Sequence, residues 1–337
     1  MASLAKKPIE ILAFLWVIVV AAAGTASAEP AIIYNVGTKF DKSFNEMAYT
    51  GAKRWSERTG MKFREVELQA EAQREQAMRR FAEAGLNPVV MVGFSFATML
   101  AEIAPEYPDT KFVLIDSEVE APNVRSVLFN EQEGSYLVGL MAAMATKSGV
   151  IGAIGGMDIP LIRKMTCGYF QGAKAARADI ETLENMTGVT LAAWNDPIKG
   201  AELARAQIAQ RADVIYGVAG GTNIGIMQAA ADEGILVIGV DSNQNHLHPG
   251  RVLTSMLKRM DNVVEQAFDA GEDIATGETI VMTLKNEGLD IAIDEHNEAL
   301  VTQAMLAAVA DAKNKIVEGE IDVHDYTVDG PCPHSGG

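Results

Sequence analysis

From Ala31 onward, short β-branched apolar runs alternate with longer stretches whose apolar residues recur every three or four positions. The runs are AIIYNV, KFREVEL, PVVMVGF, KFVLID and VRSVLF, then GVIGAIGG, VTLAAW, ADVIYGVAG, ILVIGVD and RVLTSML. Between most of them lie windows such as NEMAYTGAKRWSERTG and TNIGIMQAAADEG, which have helical periodicity. Strand–helix alternation of this kind predicts an α/β protein with parallel sheets covered by helices on both faces. Two successive sets of about five strands predict two sheets rather than one long one.

The second set also echoes the first. VVMVGFSFATMLAEIAPEYPDTKFVLIDS and DVIYGVAGGTNIGIMQAAADEGILVIGVDS each run from a strand through a Gly-containing turn and a helix to a strand ending in Asp-Ser. Such self-similarity predicts two lobes of similar topology. In open parallel sheets ligands sit beyond the carboxyl ends of the strands, so those positions are the ones to search for a site. If the two lobes face each other, residues 41–45, 93–96 and Asp116 of the first converge with 156–160 (Met157 among them), 194–196, 219–222 and Asp241 of the second.

The chemistry at these positions is that of carboxylates, amides, hydroxyls and rings. Asp116 and Asp241 close matching strands; each could accept two hydroxyl hydrogen bonds, as in the grip on a vicinal diol. Capping of the next turn is the alternative role for both. Phe44, Phe94, Tyr169 and Trp194 could offer flat faces to a planar ring. In KFDKSFNE, Asp41 or Ser43 would cap the helix that follows, with Ser43 the preferred cap. The glycines of GVAGGTNIG fit neither a Walker loop nor a dinucleotide fingerprint and suggest close backbone approach of a ligand or of the other lobe. No G-x-S-x-G elbow and no HExxH occurs, so the sequence offers no catalytic constellation and a non-enzyme is expected.

Composition narrows the picture. At 48% hydrophobic and 22% charged, the 337 residues are ordinary for a soluble two-domain chain. Lys6 and Lys7 precede the apolar residues 11–23, and Ala26-Ser27-Ala28 follows as a small-residue cleavage site. Residues 1–28 are therefore expected to be a signal peptide cut after Ala28, releasing a periplasmic protein. No cysteine near that point suggests lipid anchoring. The formal charge of −17 becomes −18 once the segment's net +1 is removed, which argues against nucleic acid or anionic lipid as partner. Neither a metal nor a cofactor is expected: no Cys/His cluster has ligand spacing, and His246 to His248 reads as a turn before Pro249. A bridge between the two cysteines, Cys167 and Cys332, is permitted by export but is not fixed by sequence.

With those residues in view, the chain resembles the basic membrane protein family of ABC-transporter solute-binding proteins, which includes purine nucleoside receptors. The resemblance rests on FDKSFNEMAYTGA, VVMVGFSF, FVLIDS, NEQEGSYLVGLMAAMATKSGVIGAIGGMDIP, GYFQGAKAA, WNDPIKG, VIYGVAGGTNIG, GVDSNQ and TSMLKRMD, in that order along the chain. It implies a type I periplasmic-binding-protein fold: two Rossmann-like lobes joined by three crossovers at a hinge. Residues 29–129 with 245–258 are expected to form the first lobe and 130–244 with 259–330 the second, with a loose tail at 331–337. Hinge segments are expected near 129–131, 242–245 and 256–260. The resemblance further implies a monomer that binds a nucleoside, most readily a purine one, and delivers it to an ABC permease in the inner membrane. By the same resemblance Asp41, Ser43, Phe44 and Asn45 form the first binding segment, with Phe44 stacking on the base and Asp41 or Asn45 hydrogen-bonding it. Asp241 would grip the ribose, Gly220 and Gly221 approach the ligand, and Lys258 lie near the cleft. The family's Phe-x-x-Gly-Phe is replaced by Met165-Thr166-Cys167-Gly168-Tyr169, a change that could reshape the base pocket. A sugar or other small polar metabolite is the alternative ligand, and a secreted nucleoside-acting enzyme the alternative class.

Overall fold

The computed structural model describes residues 28–335. The signal segment expected over 1–28 lies, apart from Ala28, outside the described residues.

The chain begins β1 (Ala31–Val36), α1 (Phe44–Thr59), β2 (Arg64–Leu68), α2 (Arg74–Glu83), β3 (Val89–Val92), α3 (Ala97–Ile103), β4 (Phe112–Ile115) and β5 (Val124–Phe129). It crosses to α4 (Glu131–Ala145), β6 (Val150–Met157), α5 (Pro160–Ala176), β7 (Glu181–Gly188), α6 (Pro197–Ala209), β8 (Val214–Val218), α7 (Asn223–Asp232), β9 (Leu236–Asp241) and β10 (Val252–Lys258). It returns through α8 (Met260–Ala270) and β11 (Glu278–Met282), then ends with β12 (Leu289–Ile291), α9 (Gln303–Val317) and α10 (Tyr326–Asp329).

Two sheets result, ordered β2-β1-β3-β4-β5-β11 and β7-β6-β8-β9-β10-β12. The shared order is the structural form of the sequence echo. Every pairing is parallel except that of β12 with β10. The central strands β3 and β4 are buried along their whole length, as continuous apolar runs between two helical layers require.

Several boundaries differ from the sequence reading. The second strand of the second lobe is β7, ETLENMTG, and not VTLAAW, of which Leu191–Trp194 forms a short 3₁₀ turn. β7 is an edge strand, so its half-exposed residues carry little of the apolar signal that marks a strand. Residues 252–258 belong to the second lobe, not the first, because β10 pairs with β9. Residues 260–282 belong to the first lobe, because α8 packs on α1 and β11 pairs with β5. The crossovers accordingly lie at 129–131, 258–260 and 282–289. The 242–245 segment is no crossover; it joins β9 to β10 inside one sheet. The crossovers are tied together by backbone hydrogen bonds from Asn130 N to Met282 O at 2.8 Å and from Arg259 N to Gly288 O at 2.9 Å.

Helices α4 and α5 pack at backbone contact. A Cβ on Gly168 would collide with the backbone of Gln132, and one on Gly172 with that of Tyr136. This explains the small residues of GYFQGAKAA as a packing requirement. The tail expected to be loose is pinned within its described residues: Cys332 is bonded to Cys167 of α5, with Cα atoms 5.6 Å apart.

The bridge closes a loop of 165 residues, and chain-entropy reasoning assigns up to about 5 kcal/mol to such a loop. Replacing both cysteines with serine is expected to lower the urea midpoint to that of the reduced parent. Identical midpoints for oxidised and reduced parent would show that the bridge carries no stability.

Candidate ligand-binding site

Between the lobes lies a cavity lined by residues of both. Its first wall is the β1–α1 loop. Here the helix N-terminus is satisfied by Asp41, not by Ser43. The Asp41 carboxylate accepts from the backbone N–H groups of Ser43 at 2.9 Å, Asn45 at 3.0 Å and Glu46 at 3.1 Å. Ser43 makes no side-chain cap and instead turns across the cleft. Asn45, expected to read the ligand, lines the cavity but is engaged by its own loop. Its Oδ1 accepts Asn35 N–H at 3.1 Å, and its Nδ2 donates to Thr38 O at 3.2 Å.

The opposite wall is built on the end of β9. Asp241 is 8% exposed, and Ser43 Oγ donates to its Oδ2 at 2.6 Å. No described residue donates to its Oδ1. Burial pushes the Asp241 carboxyl up to about 6 against the opposing pull of Lys258 and Ser43. Burial likewise lifts Asp41 to about 6, even though three backbone N–H groups favour its charge. Both acids can therefore take up protons just below neutrality.

Asp116 has a different role from its counterpart Asp241. Lys258 Nζ donates to Asp116 Oδ1 at 2.6 Å and Oδ2 at 2.7 Å, and to Glu131 Oε1 at 2.7 Å. Those three bonds account for all three protons of the ammonium. Glu131 also pairs with Lys164 at 2.7 Å, and Lys164 donates to Phe129 O at 2.8 Å. Burial opposes charge on Glu131, but Lys164 and Lys258 outweigh it and hold this carboxyl below its ordinary value. Lys258 is held above its ordinary value because Asp116, Glu131 and Asp241 outweigh its own desolvation. Its Nζ lies 5.2 Å from the Phe44 ring centre and 4.8 Å from that of Phe129.

The rest of the lining is largely apolar. It includes Phe44, Phe94, Met165, Trp194 and Val218, with the backbone of Gly220 and Gly221 beside Trp194. Gly220 sits at φ 55°, a left-handed turn suited to glycine. Of the residues expected from sequence, Asp41, Phe44, Asn45, Phe94, Asp116, Trp194, Gly220, Gly221, Asp241 and Lys258 line this one cavity. Ser43 stands behind Asp241, and Met157 is outside the lining. Tyr169 is also outside it: fully buried, its ring lies 5.1 Å from that of Tyr216, so it is a core residue and not a ligand platform.

Sequence reading passed over Glu131, Lys164 and Asn35. Glu131 stood just past the end of β5, within the searched kind of position. Asn35 was legible as a polar interruption of AIIYNV. Lys164 carried no local signal, since its partner lies on another helix.

A family model described as ABC transporter substrate-binding protein PnrA-like, Bmp, matches residues 29–327. An ABC transporter nucleoside-binding protein of Lactococcus lactis is 30% identical over 318 residues, covering 87% of this chain and 88% of that protein. A lipoprotein of Pyrococcus horikoshii is 35% identical over 280 residues, covering 78% of this chain and 68% of that protein. Among solved structures, an ABC transporter solute-binding protein of Aeropyrum pernix superposes with a TM-score of 0.77 at 28% identity, covering 88% of this chain and 93% of that one. The architecture expected from the resemblance, two α/β lobes of periplasmic-binding-protein type, is thus the one observed. Model match, relatives and fold agree: the chain belongs to the Bmp family of PnrA-like ABC-transporter substrate-binding proteins.

Proposed function

We propose that this solute-binding protein is an exported receptor that takes up a nucleoside, most readily a purine nucleoside, between its lobes and presents it to an ABC permease. The observation that carries this reading is the two-sided chemistry of the cavity. On one side Asp241 keeps an unengaged carboxylate oxygen, suited to sugar hydroxyls. On the other, Phe44 and Phe94 offer ring faces for a flat heterocycle, with Trp194 on the Asp241 side of the same cavity. The nucleoside-binding relative from Lactococcus lactis supports the same assignment.

Asp41 and Asp116 would shape the site from behind, one holding the α1 N-terminus and the other neutralising Lys258. Phe44 would stack on the base with the Lys258 charge nearby. The ligand would act by shifting an open–closed equilibrium of the lobes, since it contacts both only when they are together. No bond-breaking step is assigned: the reading is transport, not catalysis.

Calorimetry with guanosine, inosine, adenosine and uridine tests the proposal. Binding of at least one purine nucleoside tighter than about 100 μM (about −5.5 kcal/mol) is expected. Failure of all four, with a sugar binding instead, would overturn it. Asp241→Ala should weaken nucleoside binding about 30- to 150-fold (~2–3 kcal/mol) through loss of a charge-assisted hydrogen bond. Unchanged affinity would take Asp241 out of the site.

Affinity should also depend on pH. A sugar hydroxyl donating to Asp241 favours the ionised carboxylate, and burial holds that group near 6. Binding is therefore full above that value and weakens as pH falls through it, by at most about tenfold per unit for each proton taken up. Asp241→Asn should flatten this slope. A parent affinity equal at pH 7.5 and pH 5 would contradict the assignment.

A further inference from the structure

The loop that forms the first wall is held by the opposite lobe through its backbone. The carbonyl oxygen of Lys42 accepts Ser242 Oγ at 2.6 Å and Gln244 Nε2 at 2.8 Å. Lys42 precedes α1 in the first lobe, whereas Ser242 and Gln244 follow β9 in the second. Ser43 Oγ adds a third bond across the same gap, to Asp241.

The donors are themselves fixed. Gln244 is 1% exposed; its Oε1 accepts Val240 N–H at 2.9 Å, and its own N–H donates to Ser255 Oγ at 3.0 Å. One amide thus reads a strand of its own lobe with its oxygen and the other lobe with its nitrogen. The backbone on either side is unusual too: Lys42 has φ 62° and Asp241 φ 64°. Left-handed conformations of residues other than glycine persist where surrounding contacts over-determine them, often at ligand clamps. Neither Ser242 nor Gln244 lines the cavity, so neither is placed to touch a ligand.

We propose that Ser242 and Gln244 are positioning residues for ligand binding. By gripping the Lys42 carbonyl they hold the wall formed by residues 41–45 against Asp241, and so populate the closed cleft before ligand arrives. The inference rests on the reading of this cavity as the ligand site. It goes beyond that reading in assigning part of the closing free energy to contacts between the lobes. A receptor whose competent state is already populated binds with nearly its intrinsic affinity. If the clasp is lost, the apparent dissociation constant rises in inverse proportion to the closed fraction.

The test is solution X-ray scattering of the ligand-free protein, parent against Ser242→Ala/Gln244→Leu, with inosine calorimetry alongside. A larger radius of gyration for the variant is expected, together with inosine binding about tenfold weaker. A merely structural role would lower the melting temperature without enlarging the ligand-free particle. An unchanged radius in a folded variant would overturn the proposal. Should the double variant fail to fold, Ser242→Ala alone removes one bond to Lys42 and is read in the same way. The scattering comparison uses no nucleoside, so it decides the clasp even if calorimetry shows that the parent binds another solute.

Discussion

A chain of four buried charges, Asp116–Lys258–Glu131–Lys164, fixes how the two lobes meet. Asp116 follows β4 in the first lobe, Lys258 ends β10 at one crossover, and Glu131 opens α4 at another. Lys164 comes from α5, and no member is more than 8% exposed at its side chain. Charges so far from water are tolerated because they alternate in sign: Lys258 is hydrogen-bonded to Asp116 and Glu131, and Glu131 is ion-paired with Lys164. Removing one would strand another, at a cost of about 3–5 kcal/mol. The lobes are therefore joined at the hinge by an ionic contact as well as by three passes of the backbone.

That contact also separates two acids that the repeated topology makes equivalent. Asp116 and Asp241 close corresponding strands and both adopt left-handed backbones, at φ 69° and φ 64°. Lys258 takes both oxygens of Asp116. Asp241 receives one neutral hydroxyl, from Ser43, and keeps an oxygen free. The lobes are similar in fold yet asymmetric in charge: one contributes a neutralised acid, the other an available one.

The fold was legible because burial on both faces leaves central strands no choice but to be apolar, as VVMV and FVLI show. Where that constraint lapses, the reading failed. β7 is a polar edge strand, and the membership of β10 and α8 depends on pairing that local pattern does not encode. The site was legible to the extent that strand ends in parallel sheets converge, which brought Phe44, Asp116 and Asp241 to one cavity. Roles were harder. Ser43 and Asp41 are both good caps on paper, and only the position of the other lobe decides that Ser43 serves Asp241. Tyr169 looked like a platform until the glycine contacts of α5 with α4 placed it in the core. Lys164 acts through a partner distant in sequence, and no local spacing announces it.

The most direct measurement is the structure of the protein crystallised with inosine. The predicted result is a nucleoside between the lobes, its ribose hydroxyls within hydrogen-bond distance of Asp241 and its base against the Phe44 ring. Inosine bound outside the cleft, or turned so that neither Asp241 nor Phe44 touches it, would contradict the assignment of this cavity as a nucleoside site.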